Sequence, residues 1–189
     1  MSFTRNYTFT NVLPVNSTTA TISSATPSSS TPPPVIFLDI DGVLSCYRCQ
    51  VMDFAEEDST LIHPPIDCKN VLVPLERPLI ANLKYLLDKT GGNIVITSTW
   101  REWDDSMKFL FESFEKEGIS SEKIIGLTPV LPGCTRGEEI NNWIVNNFPR
   151  SSVENSTPLF IAFDDGHLES LILELPLGIN HLKLLLFIT

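Results

Sequence analysis

The sequence predicts an α/β domain whose mainly parallel sheet is doubly wound, with helices on both faces. Short apolar runs at Val35-Ile36-Phe37-Leu38, Ile94-Val95-Ile96 and Leu159-Phe160-Ile161-Ala162-Phe163 read as buried strands. Apolar stripes at helical spacing lie between them, and such alternation is the pattern of a parallel sheet. Two of the runs stop at paired carboxylates, Asp39/Asp41 and Asp164/Asp165. In open α/β sheets that junction is where ligands bind.

The first strand leads into Asp39-Ile40-Asp41-Gly42-Val43-Leu44. Two acids this close repel, and need a cation, a shared proton or solvent. A hard cation such as Mg²⁺ suits ligand oxygens of this kind. The segment therefore reads as a metal-assisted site with a carboxylate nucleophile, or more plainly as a strand followed by a polar Asp-Gly turn. Residues 45–73, which contain Pro64-Pro65, read as a loop. A helix follows, with Pro78 in its first turn, Leu79, Leu83, Leu86 and Leu87 on one face, and Gly91-Gly92 at its end.

The second strand, 94–97, ends in hydroxyls: Thr97-Ser98-Thr99-Trp100-Arg101. A hydroxyl at a strand end can donate to a phosphoryl oxygen. Thr97, first after the apolar run, is the primary candidate, and Ser98 is the near alternative; simple turn capping is the plainer explanation. Another helix fits 104–117, with Met107, Leu110, Phe111 and Phe114 on one side and Gly118 at its end. A short strand fits Lys123-Ile124-Ile125-Gly126. Thr135 and Glu138 then form a capping box, with Ile140, Trp143, Ile144 and Phe148 at helical spacing and Pro149 closing the run. Arg136 falls in the first turn, where a cation opposes the helix dipole at a cost of a few tenths of a kcal/mol or more. Meeting an anion there would offset that cost; a solvated surface arginine is the plain alternative. The last of these strands, 159–163, ends at Asp164-Asp165-Gly166.

Taken together and in this order, the four junctions resemble the motifs of the haloacid dehalogenase-like (HAD) superfamily, over roughly residues 35–170. Thr97-Ser98-Thr99-Trp100-Arg101 looks like the Ser-Ser-x-Trp-Arg variant of the second motif. Leu127-Thr128-Pro129, followed by Arg136-Gly137-Glu138-Glu139-Ile140 and Trp143, also fits. Both features are similar to a HAD branch found in, or related to, Swiss Army Knife RNA repair proteins. The resemblance implies a Rossmann-like fold and a Mg²⁺-dependent phosphohydrolase working through an aspartyl-phosphate. By it, Asp39 is the nucleophile, Asp41 the general acid and base, and Thr97 and Arg136 hold the transferring oxygens. Ser98 and Arg101 would contribute to substrate binding. Mg²⁺ would be held by Asp39, the backbone carbonyl of Asp41 and Asp164, with Asp165 in support.

The spacing between motifs leaves no room for a large cap domain, so the site should stay open to bulky substrates. A nucleic-acid end, a phosphoprotein and a small phosphomonoester all remain candidates. A phosphotransferase would use the same residues. A non-catalytic HAD-fold binding module is the rival reading, although every residue type needed for the chemistry is present.

The chain has 189 residues, 42% of them hydrophobic, which suffices for one ordinary domain with a core. Its formal net charge of −10 and pI near 4.6 argue against strong nonspecific binding to nucleic-acid phosphates. Residues 1–34 are rich in Ser and Thr, end in Pro32-Pro33-Pro34 and carry no acid, so a disordered tail is expected before a catalytic domain at 35–189. No run approaches the roughly 18 apolar residues of a membrane span. A cytoplasmic location is expected, with organelle import as the alternative. Cys46-x-x-Cys49, His63 and Cys68 could bind structural zinc or be free thiols. The apolar tail Leu182–Ile188 reads as a further strand that ends short of the final helix usual in the family, as in a truncated chain.

Overall fold

The computed structural model describes residues 32–45, 59–71, 73–148 and 158–165. The expectations for the tail before residue 32, for Cys46 and Cys49, and for the chain beyond Asp165 fall outside these residues.

Four strands form the sheet: β1 (Val35–Leu38), β4 (Asn93–Ile96), β5 (Ile124–Leu127) and β6 (Phe160–Phe163), in the order β5-β4-β1-β6. All three pairings are parallel. The chain therefore winds outward from β1 through β4 to β5, then returns to the other side of β1. That reversal is the topological switch of a doubly wound sheet, and it opens a crevice between the carboxyl ends of β1 and β6.

The sheet is covered on both faces, as its period-two alternation requires. Ile36, Leu38, Ile94, Ile96 and Ile161 face α1 (Arg77–Thr90) and α2 (Asp104–Lys116). Val35, Phe37, Val95, Phe160 and Ala162 face α3 (Arg136–Asn147). Helix α1 begins with proline in its first turn and ends at Gly91, whose φ of 68° is left-handed and whose N–H donates to Leu87 O at 2.8 Å. Its deepest contacts come from Ile80, Leu83 and Leu87, while Leu79 and Leu86 flank them half-buried. The leucine stripe thus named the right side of the helix but missed Ile80, one residue round from Leu79. Helix α2 buries Met107, Leu110, Phe111 and Phe114 as their spacing predicts, together with Phe109. Each such side chain removed from water contributes roughly 1.5–3 kcal/mol. On the other face Trp143 packs edge-on against Phe37 at 5.4 Å. Its indole comes so close to Gly126 that a Cβ there would lie 3.0 Å from Nε1.

The segment expected to be a loop after the first motif is partly ordered into strands. β2 (Leu61–Ile62) pairs antiparallel with β3 (Leu75–Glu76). Asp105 at the start of α2 holds the intervening chain, accepting from Lys69 N and Asn70 Nδ2, each at 2.9 Å. Sequence periodicity could not show this, because each strand is only two residues long. Among the described residues, the stretch between β1 and β4 holds only this pair and α1, and α2, β5 and α3 belong to the core. No large cap domain occurs among them. No helix of the described residues is long and apolar enough to cross a membrane.

Candidate active site

Parallel pairing brings the acids of the first and fourth motifs together. Leu38 lies opposite Phe163, so the next residues, Asp39 and Asp164, leave the sheet side by side. The Asp39 N–H donates to Phe163 O at 2.9 Å. Both acids are only 7% exposed. One carboxylate oxygen from each of Asp39, Asp164 and Asp165 lies within 4.8 Å of the others. Burial pushes the Asp39 carboxyl up to about 6; the Arg136 guanidinium opposes this and the Asp164 charge adds to it. The Ile40 N–H and the Ser98 hydroxyl donate to Asp39 and pull it back down. Negative charge gathered out of water, with several carboxylate oxygens in reach of one point, is the donor set of a hard divalent cation. Mg²⁺ fits it.

Asp165 owes its place to Gly42. That glycine has φ 75°, and a Cβ on it would lie 2.1 Å from Asp165 Oδ2. A side chain would be strained by the backbone and would also displace the acid.

Asp41 is engaged by two donors. Its Oδ2 accepts from the indole Nε1 of buried Trp100 at 3.0 Å, and its Oδ1 accepts from the Ser45 hydroxyl at 3.3 Å. Burial raises its carboxyl above the usual range, and these two donors oppose the rise. Trp100 is carried by a 3₁₀ turn, Thr99–Glu102, whose cap is Ser98: its Oγ accepts from Trp100 N at 3.3 Å.

Arg136 is the first residue of α3, and both halves of the predicted capping box are formed by Thr135 and Glu138. Its Nη2 lies 4.0 Å from Asp39 Oδ1, and its Nε lies 3.7 Å from Asp164 Oδ2. The third nitrogen, Nη1, is buried with no hydrogen-bond acceptor among the described residues. Asp39, Asp164 and the predicted cation from α3 therefore converge, with Ser98 against Asp39.

Residues 35–175 match the family described as the HAD domain in Swiss Army Knife RNA repair proteins. The chain belongs to this family. No curated protein and no solved structure matches it. Membership points to a phosphohydrolase-type function; HAD domains generally use Mg²⁺, and the chain holds a cluster of three acids, Asp39, Asp164 and Asp165.

Within this HAD domain, the residues of the second motif have distinct surroundings. The Ser98 hydroxyl reaches Asp39, and Thr97, the first hydroxyl after the strand, is buried beside it in sequence at 1% exposure. Thr97 still continues the ladder, its N–H donating to Leu38 O at 2.9 Å, and the chain turns only at Ser98. Arg101, expected to bind substrate, is instead committed to the protein interior. Its Nε donates to Thr128 O at 3.0 Å, and its Nη1 donates to Ser98 O at 2.6 Å and to Thr97 O. Its Nη2 donates to Glu139 Oε2 at 2.7 Å and to Pro129 O at 3.5 Å. Every guanidinium nitrogen already has a protein acceptor, and its side chain is 4% exposed.

Sequence reasoning missed Trp100, Ser45 and Glu139. The tryptophan was visible only as part of the second-motif variant, with nothing to say that its N–H would reach an acid 59 positions away. Of the cysteine and histidine set weighed for zinc, Cys68 is buried and His63 exposed, and the other two lie outside the described residues.

Proposed function

We propose that the protein is a Mg²⁺-dependent phosphomonoesterase acting through an aspartyl-phosphate, with a phosphorylated RNA end as its substrate class. The observation that carries this reading is the buried Arg136 Nη1, without an acceptor among the described residues, beside Asp39 and Asp164. A guanidinium so placed can hold the equatorial oxygens of a transferring phosphoryl group.

The chain's own residues divide the work as follows. A carboxylate oxygen of Asp39 attacks phosphorus in line, and the bond from phosphorus to the leaving oxygen breaks. Asp41, its carboxyl raised by burial, delivers a proton to that oxygen. The Ser98 hydroxyl and Arg136 hold the oxygens that gain charge. In the second half Asp41, now ionised, takes a proton from water, whose oxygen attacks phosphorus and releases Asp39 as carboxylate and phosphate as product. Mg²⁺ held by Asp39, Asp164, Asp165 and the backbone carbonyl of Asp41 would supply charge neutralisation between nucleophile and phosphate.

Two observations support a bulky substrate: no large cap is found among the described residues, and the family is that of RNA repair proteins. The acidic net charge of −10 favours recognition of an end over tight binding along a phosphate chain. Hydrolysis of a generic aryl phosphate, with and without Mg²⁺, in wild type and Asp39→Asn, tests the chemistry. Metal-dependent turnover that disappears in the variant is expected. An Asp39→Asn protein shown free of deamidation, yet turning over like wild type, would refute it. Comparison of 5′- and 3′-phosphorylated RNA with phosphopeptides then tests the substrate class.

A further inference from the structure

We infer that Arg101 and Glu139 are a positioning pair that fixes Ser98 and Arg136 relative to Asp39. This rests on the phosphohydrolase reading for its effect on turnover, but its geometry stands by itself. Arg101 gathers three separate segments: the turn after β4 through Thr97 O and Ser98 O, the chain after β5 through Thr128 O and Pro129 O, and α3 through Glu139. Glu139 adds a second tie to the chain after β5, its Oε1 accepting from Leu131 N at 3.1 Å. Both side chains are nearly excluded from water, at 4% and 10% exposure.

Glu139 lies one helical turn beyond Arg136 in α3, so a force that locates one locates the other. The same guanidinium grips the carbonyl of Ser98, whose hydroxyl meets Asp39. One ion pair thus sets the spacing of the two groups that would hold a phosphoryl oxygen. Stability alone is a poor reason for it, since burying an ion pair seldom outperforms apolar packing of the same volume. A planar fork that satisfies several carbonyls at once is what Arg offers and Lys does not. Asp39 and Asp164 are placed independently, by the pairing of β1 with β6.

The two sets of residues should therefore separate in experiment. Arg101→Lys, Glu139→Gln and the double variant are compared with wild type well below their melting temperatures, with folding checked by near-UV circular dichroism. Four quantities are measured: kcat and KM on an aryl phosphate, affinity for Mg²⁺, and affinity for orthovanadate, which mimics the five-coordinate phosphorus. Displacing catalytic groups by about 1 Å costs on the order of 100-fold. A fall in kcat of about tenfold or more is therefore expected, matched by weaker vanadate binding and unchanged Mg²⁺ affinity. The double variant should be no worse than the poorer single one, because both remove the same link.

Folded variants with wild-type kcat and vanadate affinity would overturn the inference. So would Mg²⁺ affinity falling in step with vanadate, which would mean general damage to the domain. If Arg101→Lys does not fold, Glu139→Gln decides, since its one amide oxygen can still accept from Leu131 N while its NH₂ group faces Arg101 Nη2 as a donor and breaks the link. A wild type without turnover would count against the phosphohydrolase reading, and the vanadate and Mg²⁺ titrations would still decide the positioning role.

Discussion

The indole N–H of Trp100 donates to Asp41 Oδ2 at 3.0 Å, tying the turn after β4 to the acid two residues beyond the proposed nucleophile. With Ser45 on the other oxygen, both oxygens of the Asp41 carboxylate accept a hydrogen bond from the protein. An acid so restrained can serve as a proton carrier without competing as a metal ligand. The donor also lowers the Asp41 carboxyl from the value that burial alone would impose.

Trp100→Phe keeps most of the buried ring and removes the donor. Asp41 should then hold its proton to higher pH, moving the alkaline limb of the pH–rate profile upward. Turnover should fall, but by less than the ~10²–10⁴-fold expected for loss of a proton-transfer group such as Asp41 itself. Rates of both variants from pH 5 to 9 check this; an unmoved alkaline limb would mean that the indole only packs.

Asp39 gives a pH prediction with a definite sign. Burial raises its carboxyl from 3.8 in an unstructured chain to about 6, so the folded protein binds this proton more tightly than the unfolded one. Stability of the metal-free protein is therefore fully retained below about pH 4 and is lost as pH rises towards 6, a difference of roughly 3 kcal/mol for this group. Asp39→Asn removes the charge that burial penalises. In chelator at pH 7 the variant should be the more stable protein, by up to that amount, and the gap should close near pH 4. Mg²⁺ should reverse the order at pH 7 by stabilising wild type alone. Urea unfolding of both proteins at the two pH values, with and without Mg²⁺, measures each of these differences.

Gly42 is the position where backbone and site cannot be separated. Gly42→Ala meets both the left-handed φ of 75° and the Asp165 carboxylate. The backbone alone costs on the order of 1–3 kcal/mol. Displacing Asp165 should also weaken Mg²⁺ binding, by roughly 10–100-fold if it acts as supporting groups of metal sites do. In an Asp165→Ala background the same glycine change should cost little further Mg²⁺ affinity. A full second loss there would show that Gly42 acts on the metal site by another route.

These residues mark what the sequence could and could not convey. Strands that end in acids were legible because burial on both faces forces continuous apolar runs, and the run stops where the chain leaves the sheet. That β1 and β6 are neighbours then follows from Asp39 and Asp164 having to meet. The capping box at Thr135 and Glu138 was legible because it is local: both hydrogen bonds span three residues. The distant partners of Arg101, 27 to 38 positions away, and that of Trp100, 59 away, were not, since they depend on how the turn after β4 packs.

Thr135 joins the most legible feature to the least. Its hydroxyl accepts from Glu138 N at 3.3 Å and caps the helix whose first residue is Arg136. Thr135→Ala should cost about 1 kcal/mol, as loss of a cap of this type does. In a chain of this size that lowers the melting temperature by about 2–4 °C. Because the first turn also carries Arg136, the loosened turn should weaken phosphate-analogue binding as well, though by less than Arg136→Ala. Thr135→Ser, which keeps the hydroxyl, should restore both stability and vanadate affinity. If Thr135→Ala lost stability but bound vanadate like wild type, Arg136 would be held by its ion pairs with Asp39 and Asp164 and by the Arg101–Glu139 link further along α3, with no contribution from the cap.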